Sequence, residues 1–207
     1  PLRDDFDSDE IGLWWNFIRT SREAFWSVTH RPGWLRLNLR PEKISEMVNP
    51  SFLGRRQQHK DFRAAVKMEF IPEREGETAG LVLQQNNRFH FRFVAGKKDG
   101  RHIVKLVRCE DEKEETIASH QLSRTTDPLF LSVKAKGQDY SFYYGFTEEE
   151  ETPLIQEVDG RILSTDVAGG FVGAYIGMYA SSNGSPAGNH ADFDWFEYEG
   201  QDRDDSW

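Results

Sequence analysis

The sequence predicts an all-β fold, a two-sheet antiparallel β-sandwich, on three observations. From about Trp34 onward, short β-rich runs are punctuated by Gly, Pro, Asn and Asp at intervals of roughly ten residues, the rhythm of sandwich strands. In Phe89, Phe91 and Phe93 a period of two is explicit, which puts three rings on one face and His90 and Arg92 on the other. Fifteen Phe, six Trp and six Tyr are enough to fill a core between two sheets.

Taken along the chain, strands are predicted at 34–38, 62–70, 79–84, 89–95, 102–108, 116–121, 129–135, 141–146, 173–180 and 193–199. Hairpin turns are expected at Gly76, Lys98-Asp99-Gly100, Lys136-Gly137-Gln138-Asp139 and Asn183-Gly184, where Gly and Asn tolerate positive φ. The charged runs 110–115 and 148–151 read as solvated hairpin tips. The first thirty residues carry Trp14, Trp15, Phe17, Phe25 and Trp26, too dense for an ordinary loop, and are expected to wrap the sandwich. No composition shift marks a linker and no repeat of fixed period is found, so residues 1–200 read as one domain and 201–207 as a flexible tail. The chain opens on Pro1 rather than Met, and it is expected to be cut from something longer.

Composition also narrows the function. A formal charge of −9 and scattered basic residues repel a phosphate backbone, so no nucleic-acid partner is expected. No run of eighteen apolar residues appears, so no segment is expected to span a bilayer, and no membrane partner is expected. The compartment stays open, because the single Cys109 forms no internal disulfide and cannot build a multi-cysteine zinc site. The six histidines never recur at metal-ligand spacing with a carboxylate and are read as surface or satisfied imidazoles. There is no Gly-x-Ser-x-Gly elbow for a serine hydrolase and no phosphate-cradling glycine loop. With 35 Asp and Glu, some pair will lie at glycosidase separation by chance, and no segment singles out an acid and a base.

Two chemistries remain. Asp4-Asp5-Phe6-Asp7 lies near one end and Asp192-Phe193-Asp194 near the other; first and last strands of sandwiches often pair. Asp5, Asp7 and Asp194 are therefore expected to supply hard oxygen ligands to a structural calcium ion, Ca2+. Sugar binding needs planar aromatics flanked by amides and cations. The polar run Arg55, Arg56, Gln57 and Gln58 interrupts an otherwise alternating sheet. Phe171 sits on a glycine-permissive loop, Gly169-Gly170-Phe171-Val172-Gly173, just before a strand containing Tyr179. The amide-rich run 84–88 reads as a turn before it reads as a site.

Several blocks in order resemble one known family: Pro1-Leu2-Arg3-Asp4-Asp5-Phe6-Asp7, Arg31-Pro32-Gly33-Trp34-Leu35-Arg36-Leu37, Phe52-Leu53-Gly54-Arg55-Arg56-Gln57-Gln58-His59, Ala79-Gly80-Leu81-Val82, and the segments 168–180 and 191–199. Together they resemble the C-terminal concanavalin A-like β-sandwich of glycoside hydrolase family 43 β-xylosidases, over nearly the whole chain. The resemblance implies a jelly-roll sandwich fused behind a five-bladed propeller that holds the catalytic carboxylates; the propeller is not in this chain. It implies a non-catalytic, carbohydrate-binding accessory module for xylan or xylo-oligosaccharides, taking part in hemicellulose degradation, with that propeller as partner. It also implies a loop like Gly170-Phe171-Val172-Gly173 that brings Phe171 to the rim of a xylose pocket. Phe171, Tyr179, Arg55, Arg56, Gln57 and Gln58 are the expected contributors. The alternative is a purely structural domain that packs on the propeller and lends it Phe171. A glycosidase or lyase in its own right is the minor alternative.

Overall fold

A computed structural model describes residues 2–20, 23–170 and 173–201. In chain order its strands are β1 Arg3–Asp4, β2 Trp26–Ser27, β3 Leu35–Asn38, β4 Ser51–Arg56, β5 Phe62–Glu69, β6 Thr78–Asn86, β7 Phe89–Lys98, β8 Arg101–Glu110, β9 Lys113–Gln121, β10 Leu129–Lys136, β11 Asp139–Gly145, β12 Thr152–Asp159, β13 Tyr175–Ser181 and β14 His190–Gly200. One short helix, α1 Thr165–Ala168, precedes the glycine loop. The strands form two antiparallel sheets. An eight-stranded sheet runs β12-β11-β10-β5-β14-β3-β2, with β1 added beside β14, and a six-stranded sheet runs β4-β13-β6-β7-β8-β9. No helix among the described residues is long and apolar enough to cross a membrane.

The predicted alternation of β7 decides how the sheets stack. Phe89, Phe91, Phe93 and Ala95 enter the main core with Leu81, Leu83, Leu106, Phe142, Phe193 and Phe196. Phe142 of β11 meets Phe93 edge-on at 5.4 Å, a contact from one sheet to the other. The amino-terminal segment does wrap the sandwich. Trp15 packs edge-on against Phe196 at 5.1 Å and beside Phe6 at 5.9 Å, and its indole N–H donates to Asp4 Oδ2 at 2.8 Å. The predicted pairing of first and last strands is present, Arg3 with Glu197 and Asp4 with Phe196.

Several local expectations change. Among the strands that escaped the sequence reading are the two-residue β2 and the longer β4 and β12, whose polar residues mask the alternation. The run 110–115 is the exposed hairpin tip expected, the ends of β8 and β9 joined at Asp111 and Glu112, both with positive φ. Asp99-Gly100 and Gly137-Gln138 do close hairpins, whereas Gly76 and Asn183-Gly184 turn the chain from one sheet to the other. Local turn chemistry is the same in both cases; only the destination of the next strand differs. The tail expected at 201–207 lies outside the described residues from position 202 onward.

Where β4 meets β13, Gly54 and Gly177 face each other across the ladder. A Cβ built on Gly177 would lie 2.4 Å from Gly54 Cα and from Leu53 O, and 2.8 Å from the Phe52 ring. Gly177→Ala is therefore expected to destabilise the domain by about 1–3 kcal/mol through overpacking. Urea unfolding checks this, with a lower midpoint at unchanged slope.

Candidate functional site

The polar run 55–58 carries the chain out of β4 and across one end of the sandwich to β5. Alternation splits its side chains. Arg55 turns inward, its guanidinium 5.1 Å above the Tyr198 ring, where burial depresses its pKa against the pull of Tyr198 and Asp4. Gln57 also turns inward: the Tyr140 hydroxyl accepts from its Nε2 at 3.1 Å and lies 3.3 Å from its Oε1. Burial pushes Tyr140 up to about 12, so it remains a neutral phenol. The Tyr198 hydroxyl accepts from the backbone N–H of Gln58 at 3.0 Å and of His59 at 3.2 Å. Tyr140 and Tyr198, which the sequence reading did not single out, thus pin this segment over the aromatic core; Phe62 stacks on Tyr198 at 5.3 Å.

Arg56 and Gln58 are exposed. Arg56 reaches Tyr175 on β13, its Nη2 donating to the hydroxyl at 3.4 Å. The glycine loop arrives at the same place. Gly169 and Gly170 have φ of 72° and 84°, as expected of a glycine-permissive loop, and Gln57 N–H donates to Ala174 O at 2.9 Å. A Cβ on Gly173 would lie 4.0 Å from the Arg56 side chain. Phe171 lies outside the described residues. The structure therefore brings Arg56, Gln58, Tyr175 and the downstream flank of the loop, Gly173 and Ala174, to one end of the sandwich.

Tyr179 does not join them, and its expected role as a sugar contact is corrected. It is fully buried in a second cluster with Ile44, Phe52, Val82 and Val94, on the outer face of the six-stranded sheet, and its hydroxyl accepts from Ile44 N–H at 3.2 Å. The segment around Ile44 folds over that face, which alternation alone would leave to solvent. Of the amide run 84–88, Asn87 and Arg88 form the turn expected, Asn86 Oδ1 accepting from Arg88 N–H at 2.9 Å, while Gln84, Gln85 and Asn86 belong to β6.

The calcium ligands do not converge. Asp194 is hydrogen-bonded to Lys67, and Asp5 pairs with Arg3 at 2.9 Å. Asp5, Asp7 and Asp194 bring no set of three oxygens together among the described residues. As placed, they do not fit a calcium cage, which needs six or more oxygens around one point. Asp194 instead belongs to a charged lattice on the outer face of the eight-stranded sheet, where Arg63 meets Glu197 at 2.6 Å and Arg3 lies 4.1 Å over the Trp195 ring.

A cleft of about 460 Å³ at Arg31, Glu69, Asp127, His190 and Asp192 is where facing acids would suggest hydrolysis. Its most buried acid, Asp192, accepts from Arg36 at 2.7 and 2.8 Å and from Arg31 at 3.2 Å. Burial pulls Asp192 upward, but the bonds from Arg36 and Arg31 outweigh it and hold the carboxyl below its usual range. A general acid needs the opposite shift.

The family described as beta xylosidase C-terminal concanavalin A-like domain matches residues 3–199. The chain is 36% identical over 198 residues to a non-reducing end alpha-L-arabinofuranosidase of Bacteroides ovatus, which covers 96% of this chain and 37% of that protein. It is 37% identical over 183 residues to a xylosidase/arabinosidase of Butyrivibrio fibrisolvens, covering 88% of this chain and 35% of that protein. It thus spans little more than a third of the curated relatives it matches. The solved structure of Bacteroides ovatus xyloglucan PUL GH43B superposes with a TM-score of 0.91 at 36% identity, over 97% of this chain and 39% of that one. With two stacked antiparallel sheets and a match running nearly end to end, the chain belongs to the family of C-terminal concanavalin A-like domains of β-xylosidases.

Proposed function

We propose that this is the non-catalytic accessory domain of a family 43 xylosidase or arabinosidase. In this reading it recognises xylan or xylo-oligosaccharide at the end of the sandwich formed by Arg56, Gln58 and the loop Gly169–Gly173, beside the catalytic propeller. The observation that carries it is the split within the polar run. Arg55 and Gln57 are tied to the domain's own tyrosines, while Arg56 and Gln58 are exposed next to Gly173 and Ala174. A guanidinium and an amide there hydrogen-bond hydroxyls, and the Phe171 ring offers a flat apolar face to a pyranose. An open rim of this kind buries little area and binds weakly by itself.

The inward ties of Arg55 and Gln57 also favour a second reading, in which the domain only packs on the propeller and lends it Phe171. Affinity electrophoresis of the 207-residue chain in xylan gels separates the two. The first reading expects a modest retardation that disappears in an Arg56→Ala, Gln58→Ala double variant. Mobility unchanged by xylan, together with no heat on titration with xylo-oligosaccharides, would leave the packing role alone.

A further inference from the structure

Three neighbouring strands of the six-stranded sheet set a nitrogen, a sulfur and an oxygen side by side on the outer face. His90 of β7 stands in register with Cys109 of β8, and Cys109 with Glu114 of β9, so all three side chains project to the same side. One imidazole nitrogen, the Cys109 Sγ and one Glu114 carboxylate oxygen all lie within 4.8 Å of one another. Among the described residues this is the only such group of three or more His, Cys, Asp or Glu side chains.

His90 is what makes the group more than a chance meeting. Its exposure is 0%, yet neither ring nitrogen has a hydrogen-bond partner. The backbone of Asn87 and Asn86 lies beside the ring and favours its charged form, but burial dominates and holds the imidazole neutral. Buried polar nitrogens are as a rule satisfied, and an exception calls for an explanation such as an ion that the side chain is shaped to hold. A ring rotation that hands one N–H to a nearby carbonyl would leave the other nitrogen as a free lone pair, the arrangement that orients metal-bound histidines.

We propose that His90, Cys109 and Glu114 bind a divalent transition-metal ion of borderline softness, with zinc as the type and a fourth position open toward solvent at β9. The donor set selects the ion: imidazole, thiolate and one carboxylate suit zinc or cobalt, whereas calcium and magnesium require oxygens. The scale also fits. Ligand atoms around tetrahedral zinc lie about 3.5 Å apart, so the three close on an ion by small side-chain rotations. Arg92 donates to one Glu114 oxygen at 2.6 Å, which steadies the carboxylate and leaves its second oxygen for the ion. Access comes through Glu114, whose side chain is 39% exposed, while Cys109 is fully buried. On binding, the Cys109 S–H bond breaks, a sulfur–metal bond forms, and the proton leaves to solvent.

The test uses the 207-residue chain, reduced and stripped with chelator, titrated with cobalt(II) and then zinc. Wild type is expected to develop a thiolate-to-cobalt charge-transfer band in the near ultraviolet that saturates at one equivalent and is bleached by one equivalent of zinc. Cys109→Ser is expected to lose that band, and Glu114→Gln to weaken zinc at least tenfold in competition with a chromogenic chelator. Both exchanges are nearly isosteric, and Glu114 is partly exposed, so the Glu114→Gln arm stands even where a substitution at the two buried positions unfolds the protein. The proposal falls if wild type shows no cobalt band, or if Glu114→Gln and wild type hold zinc equally.

Discussion

Asp192→Asn is expected to lower the stability of the domain by about 3 kcal/mol at neutral pH, toward the low end for breaking a buried ion pair. The carboxylate is almost wholly buried and takes a two-pronged bond from Arg36, whose side chain is itself 18% exposed. Removing the charge leaves that guanidinium uncompensated, while Arg31, more exposed, turns to Glu69 at 2.7 Å or to water. The loss also has a pH signature. Asp192 is held below its usual range when folded and returns to about 3.9 when unfolded, so its contribution is complete above that value and fades as pH falls through the folded one. The groups facing it are Arg31, Arg36 and His190; burial lowers His190 against the pull of Asp192. Urea unfolding from pH 7 to pH 3 is expected to show stability falling more steeply below about pH 5 in wild type than in Asp192→Asn. Parallel curves would mean that this carboxylate does not drive the acid transition.

Phe93→Ala is expected to cost about 3–5 kcal/mol, the range for deleting a fully buried ring. The ring has 0% exposure and bridges the two sheets through Phe142. Neighbours drawn from both sheets cannot close on the cavity without bringing the sheets together, so little relaxation offsets the loss. Phe93→Leu fills most of the volume and is expected to lose less. A midpoint shift in urea equal for the two variants would place the energy in ring contacts rather than in the cavity.

The fold was legible because a half-buried strand writes its exposure into every second residue. Phe89, Phe91 and Phe93 show this, and so do the Asp99-Gly100 and Gly137 turns, where a hairpin needs positive φ. β4 was not legible because its polar end, Arg55 and Arg56, belongs to a strand while pointing to two different environments. The site was legible only as a region. That 55–58 carries function-grade polarity could be read from the residues, but which of the four face outward could not, since Tyr140 and Tyr198 arrive from strands more than eighty residues away.

The amino-acid sequence by itself determined an all-β sandwich, its turn chemistry and its aromatic core, because these depend on periodicity and on residue types that act locally. Only the tertiary structure decided that Tyr179 is covered by the segment around Ile44, that Asp194 faces Lys67, and that His90, Cys109 and Glu114 stand in one row. Strand register sets each of these, and register follows from how distant strands share a core rather than from spacing along the chain.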